Sequence, residues 1–130
     1  MSTKPLISIV DDDQGFRDAL TSLIRSLGYG VKAFSSASAF LASESVGDTS
    51  CLIADVQMPA MTGVELYCRL VESGRAIPTI IVTAYPDDPV RLRALNAGVI
   101  CYLSKPFDAD ELLVCIGAAL ARANPGEETQ

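Results

Sequence analysis

Four short apolar runs organise the chain: Pro5 to Val10, Cys51 to Ala54, Thr79 to Val82 and Cys101 to Ser104. Each run is continuous rather than alternating, the pattern of strands buried on both faces of a parallel sheet. Between them, apolar residues recur at helical spacing. Phe16, Leu20, Leu23, Ile24 and Leu27 step by three and four and stop at Gly28 and Gly30, which predicts a first helix. Val31 to Phe34 predicts a short second strand. Ser36 then caps a helix carrying Phe40 and Leu41, and Gly47-Asp48 turns the chain into the third strand. Thr62 and Glu65 have the spacing of a capping box, opening a helix with Val64, Leu66, Tyr67 and Leu70 that ends near Gly74. Asp88-Pro89 reads as an N-cap followed by a proline at the first position of a fourth helix with Val90, Leu92 and Leu95, ending at Gly98. Asp108 and Glu111 repeat the capping spacing. They open a last helix whose apolar face is Leu112, Leu113, Ile116 and Leu120, running to about Ala123.

Five strands alternating with five helices through short connections predict an α/β fold, a single doubly wound (βα)5 sandwich with right-handed crossovers. Parallel strands all finish on one edge, and in such open sheets the ligand crevice lies outside the carboxyl ends. The polar residues at those ends are Asp11-Asp12-Asp13, Asp55, Thr83 and Lys105. They are expected to converge into one site of carboxylates, a hydroxyl and an ammonium.

Composition narrows what that site can do. At 130 residues and 13.8 kDa the chain holds one domain. No apolar stretch approaches the ~20 residues that span a bilayer, and the first ten residues lack a signal-peptide layout, so a cytoplasmic protein without a membrane partner is expected. Sixteen acids against ten bases give a net charge of -6, which works against binding a nucleic-acid backbone. Cys51, Cys68, Cys101 and Cys115 form no Cys-x-x-Cys pair and there is no histidine, so the reading is reduced core thiols and no zinc site. The missing histidine also excludes Ser-His and Cys-His nucleophile pairs and any phosphohistidine on this chain. A phosphoryl group would have to come from outside.

Clustered aspartates repel, since two unit charges ~4 Å apart cost about 4 kcal/mol at an effective dielectric near 20. A hard divalent cation relieves this, and Mg²⁺, which takes one or two carboxylates and favours phosphate oxygens, fits best. Asp13 reads as the cap of the following helix. Asp55, at a strand end beside the metal site, is a candidate phosphoryl acceptor, because aspartyl phosphate formation needs little beyond positioning and charge neutralisation. Mg²⁺, Lys105 and the Thr83 hydroxyl would supply the neutralisation.

Together, Asp11-Asp12, Asp55 with Met58-Pro59 and Gly63, Thr83-Ala84 and Lys105-Pro106-Phe107 resemble the receiver domain of bacterial two-component response regulators. Asp12, Asp55, Thr83 and Lys105 follow one another at 43, 28 and 22 residues, and the resemblance covers residues 5 to about 122. It implies the flavodoxin-like, CheY-like fold with a five-stranded parallel sheet of order 2-1-3-4-5. It implies Asp55 as phosphoacceptor, with Mg²⁺ held by Asp12, Asp55 and the Gln57 main-chain carbonyl, and by Asp11 through water. Lys105, Thr83 and the Ala84 main chain would contact the phosphoryl group. Thr83 and Tyr102 would form the switch, Thr83 moving to the phosphoryl group and Tyr102 swinging inward, and Lys105-Pro106 would be cis. The phosphodonor would be a histidine kinase, and the output a change in the face built from the fourth helix, fifth strand and fifth helix.

Two positions depart from the common pattern. Gln57 replaces the residues more usual two places after the acceptor, where it borders the phosphate and bears on phosphoryl lifetime. Tyr85-Pro86-Asp87-Asp88 lacks the usual glycine and is expected to stiffen the start of the fourth helix and damp the switch. Arg91 and Arg93, with Asp108, Asp110 and Glu111, form either a charged homodimer face or solvated helix charges.

Stretches Ser35 to Leu41 and Met58 to Gly63 look most like receivers of the FixJ/NarL class, which usually continue into a DNA-binding domain. The expectation here is a stand-alone receiver over residues 1–123, with 124–130 a polar C-terminal tail or the start of a linker. No enzyme activity beyond self-phosphorylation and autodephosphorylation is expected. The competing readings are a Mg²⁺-dependent phosphatase resembling haloacid dehalogenases, with Asp11 as nucleophile and Asp13 as acid, and a phosphorylation-independent interaction module. Gly15 stands where the phosphatase pattern has threonine, and retention of the chemical positions argues against the module. Flavin binding is disfavoured because the three aspartates would repel its phosphate.

Overall fold

The apolar runs form β1 (Leu6–Val10), β3 (Thr49–Asp55), β4 (Thr79–Thr83) and β5 (Cys101–Ser104), joined by β2 (Gly30–Phe34). All pair in parallel in the order β2-β1-β3-β4-β5. The computed structural model describes residues 4–123, and the polar tail expected over 124–130 lies outside them. Five helices cover the sheet: α1 (Gln14–Ser26), α2 (Ala37–Leu41), α3 (Gly63–Glu72), α4 (Asp88–Ala97) and α5 (Ala109–Ala123).

Alternation along the strands divides the interior into two cores. Ile7, Ile9, Cys51, Ile53, Ile80 and Val82 face α1 and α5, packing on Leu20, Ile24, Leu112 and Ile116. Val10, Leu52, Ala54 and Ile81 face α2, α3 and α4, packing on Phe40, Leu66, Leu70 and Ala94. Burying a large aliphatic side chain contributes roughly 1.5–3 kcal/mol, so these two layers outweigh any single polar contact. β4 is buried along its whole length, whereas the edge strand β2 exposes Lys32 and Ala33. That difference explains why the central strands read so clearly as apolar runs.

The caps at Asp13, Ser36 and Thr62 form as expected, Thr62 and Glu65 making the complete reciprocal box. Glu111 accepts from the Asp108 N–H, and α4 ends at Gly98 in the left-handed conformation at φ 115°. Several boundaries differ. The N-cap of α4 is Asp87, which accepts from the Val90 N–H, so Asp88 is the first helical residue and Pro89 the second. Either aspartate precedes a helix-compatible proline, and the reach to Val90 selects the earlier one. A 3-10 turn over Glu44–Asp48 replaces the simple Gly47-Asp48 bend. Leu113 is exposed because Leu112, Cys115, Ile116 and Ala119 define the buried face of α5, and Leu92 is exposed because Val90 and Ala94 turn inward on α4. All four cysteines are free thiols, but only Cys51 and Cys115 are fully buried; Cys68 and Cys101 are half-buried.

Candidate functional site

Asp11 directly follows β1, Asp55 closes β3, Thr83 closes β4 and Lys105 directly follows β5. Because the strands are parallel, with Val10 opposite Ala54, Asp55 opposite Val82 and Thr83 opposite Ser104, the four side chains meet at one edge of the sheet. One carboxylate oxygen from each of Asp11, Asp12 and Asp55 lies within 4.8 Å of the others. Asp11 and Asp55 are almost fully buried, at 1% and 5% exposure, while Asp12 is open to solvent.

Lys105 spans the two buried carboxylates. Its Nζ donates to Asp11 Oδ2 at 2.9 Å and to Asp55 Oδ2 at 3.4 Å. The ammonium also sits 3.9 Å from the centre of the Phe16 ring, and Phe16 meets Phe107 edge-on at 6.1 Å. Such a cation over a ring face is attracted by about 0.5–2 kcal/mol depending on desolvation. Main-chain groups complete the pocket. The Asp13 N–H donates to Asp11 Oδ1 at 2.9 Å, the Gln57 N–H donates to Asp55 Oδ1 at 3.2 Å, and Arg17 Nη1 donates to the Asp11 carbonyl at 2.7 Å. Even so, burial and then the neighbouring Asp11 charge push the Asp55 carboxyl above its ordinary value; Lys105 and the Gln57 N–H pull the other way and do not cancel the rise.

Glycine at position 63 is a requirement of this geometry. A Cβ there would stand 2.5 Å from the Asp55 carbonyl oxygen and 3.0 Å from its carbon, both backbone atoms with no freedom to give way. The start of α3 therefore rests directly against the backbone of Asp55.

Thr83 donates its hydroxyl to Gln57 Oε1 at 2.7 Å and accepts from the Tyr85 N–H at 3.0 Å. Tyr102 lies on the α2–α4 side of β5, and its hydroxyl is buried without a hydrogen-bond partner among the described residues. Ala84 is exposed and, with Phe16, Lys105, Pro106 and Phe107, lines a cavity of about 470 Å³ beside the ammonium. The Lys105-Pro106 peptide is cis.

Asp11, Asp12, Asp55, Gln57, Thr83, Ala84 and Lys105 thus lie at or beside this edge, whereas Tyr102 sits within β5 on its α2–α4 side. The arrangement is an all-oxygen acidic cluster held by one ammonium, chemistry that suits a hard divalent cation such as Mg²⁺ and a phosphoryl group. Asp13 caps α1, accepting from the Phe16 N–H. Among the described residues, no helix is long and apolar enough to cross a membrane.

Residues 7–116 match the family model of the response regulator receiver domain. The chain belongs to that family. Receivers take a phosphoryl group from histidine kinases, generally bind Mg²⁺ in an acidic pocket and serve as the phosphorylation-controlled units of response regulators. The response regulator protein TmoT of Ectopseudomonas mendocina is 43% identical over 123 residues, covering 95% of this receiver and 56% of TmoT. The transcriptional regulatory protein FixJ of Bradyrhizobium diazoefficiens is 35% identical over 130 residues, covering 100% of the receiver and 63% of FixJ. The receiver thus spans little more than half the length of these curated relatives. Among solved structures, the response regulator StyR superposes with a TM-score of 0.86 at 39% identity, covering 98% of this receiver and 66% of StyR. These comparisons give no support to the phosphatase or the degenerate module, and the relatives are named as regulators rather than as enzymes.

Three contributors to the receiver site escape sequence reasoning. Phe16 carries the helical period of α1 and reads as core, yet its ring lies under the Lys105 ammonium. Arg17, which donates to the Asp11 carbonyl, is marked by no sequence pattern. The Gln57 side chain has no pattern that announces a bond to Thr83 26 positions away.

Proposed function

We propose that Asp55 is the phosphoacceptor of a receiver that controls a downstream output. The observation that carries this reading is the sharing of one ammonium, Lys105, by the buried carboxylates of Asp11 and Asp55, beside Asp12. In the transfer, an Asp55 carboxylate oxygen attacks phosphorus while the bond from phosphorus to the kinase imidazole nitrogen breaks, and that imidazole leaves. Nucleophilic attack needs Asp55 ionised, a state that burial and the Asp11 charge oppose and that Lys105 favours. Asp12, Asp55 and the Gln57 carbonyl would hold Mg²⁺, with Asp11 reaching it through water. When bound, the cation neutralises carboxylate and phosphoryl oxygens. Lys105 then has a phosphoryl oxygen as an alternative partner, and the Thr83 hydroxyl and Ala84 N–H donate to the others. Thr83 and Tyr102 act as the switch pair.

The receiver unit runs through residues 1–123, with 124–130 as tail or linker, and functions in the cytoplasm. Supporting self-association through α4, β5 and α5 are the exposed Leu92, Leu113 and Val114. The charged groups there pair locally, Arg91 with Asp88 and Glu111 with the Asp108 N–H, so apolar contact is the stronger argument. Sedimentation with and without acetyl phosphate tests it, and an unchanged mass overturns it.

Intact-protein mass after incubation with acetyl phosphate, with and without Mg²⁺, tests the acceptor. The expected result is a Mg²⁺-dependent gain of one phosphoryl group in wild type and none in Asp55→Asn. A gain that survives in the variant moves the acceptor elsewhere, and no gain in either removes the phosphoacceptor reading.

A further inference from the structure

The side chain of Gln57 has no assigned task in holding metal or phosphoryl group, yet it is tied into the site. Its Oε1 takes the Thr83 hydroxyl at 2.7 Å, a short and well-formed O–H···O bond. A hydroxyl has a single proton to donate. Thr83 cannot give it to Gln57 and to a phosphoryl oxygen at once, and the Tyr85 N–H already occupies it as an acceptor. Thr83 is fully buried and held from both sides, while Gln57 reaches it from an exposed position.

On the neighbouring strand β5, the Tyr102 hydroxyl is buried with no hydrogen-bond partner among the described residues. Leaving a buried hydroxyl unpaired costs about 1–3 kcal/mol. The residue as a whole is half-buried, its ring packed against the α2–α4 core.

Building on the reading of Thr83 and Tyr102 as the switch pair, we infer that Gln57 is a positioning residue whose amide oxygen stands in for a phosphoryl oxygen. It draws the Thr83 hydroxyl toward the site and keeps Tyr102 inside before any phosphoryl group arrives. Phosphorylation then exchanges one acceptor for another instead of creating a new bond. The conformational response is correspondingly smaller than in a receiver whose side chain at this position offers no acceptor.

The test uses the full chain labelled with 3-fluorotyrosine, the Tyr102 resonance being assigned by its loss in Tyr102→Phe. Gln57→Met keeps the length and removes the acceptor; Gln57→Glu keeps an acceptor oxygen. Because Gln57 is exposed, both variants should fold. In unphosphorylated protein, Gln57→Met should shift the Tyr102 fluorine resonance, and Gln57→Glu should leave it at the wild-type position. Acetyl phosphate with Mg²⁺ should return the Gln57→Met resonance toward wild type. A Gln57→Met resonance that coincides with wild type, or a Gln57→Glu resonance shifted equally far, overturns the inference. So does failure of the return in a sample whose mass confirms phosphorylation. The unphosphorylated comparison needs no transfer chemistry, so it stands apart from failure of the acceptor reading, which shows as absent mass gain.

Discussion

Asp55 is nearly buried beside another carboxylate, and its proton affinity is raised above the ordinary value by that burial and by the Asp11 charge. The folded protein holds that proton more tightly than the unfolded chain does. The stability so gained is fully present below the ordinary carboxylate value and is lost as pH rises through the raised one. Asp55→Asn has no proton to lose. In metal-free buffer the variant should therefore melt above wild type near neutrality, and the gap should close on acidification. Thermal melts of the pair across pH check this; a gap that widens toward acid would show that ionised Asp55 is stabilising. The carboxylates, the threonine and the lysine were legible in the sequence because each ends an apolar run. Phe16, Arg17 and the Gln57 side chain were not, since their roles depend on contacts across the edge of the sheet that no local pattern records.

Among the secondary-structure elements, the meeting of β3 with α3 is the tightest constraint on the site. Gly63 touches the Asp55 carbonyl where any Cβ would overlap it, so Gly63→Ala should cost about 1–3 kcal/mol through forced displacement of α3. Urea unfolding measures that loss, and a slowed acetyl phosphate reaction should accompany it because Asp55 moves with the clash. An unperturbed variant would show that α3 can slide without consequence. Strands and helices were readable along most of the chain, since continuous apolar runs and capping pairs are local signals. The errors fall where two local choices compete. Asp87 and Asp88 both precede Pro89, and only the reach to the Val90 N–H decides between them. Leu113 and Leu92 carry apolar side chains one and two positions off the buried stripe, which spacing within a short window does not resolve.

Across the whole molecule, a net charge of -6 concentrates part of its excess in one cluster, and binding there should couple to folding. A ligand at one hundred times its dissociation constant stabilises a folded protein by about 2.7 kcal/mol. Mg²⁺ should raise the urea midpoint accordingly in wild type and much less in Asp12→Asn, whose exposed position spares the fold. An equal rise in both proteins would place the cation elsewhere. The alternation of β5 has a further consequence. Cys101 and Leu103 face α1 and α5, while Tyr102 packs, half-buried, against the core beneath α2, α3 and α4. A rearrangement led by Tyr102 would therefore be felt first in the layer that holds α4, and would reach α5 only through β5.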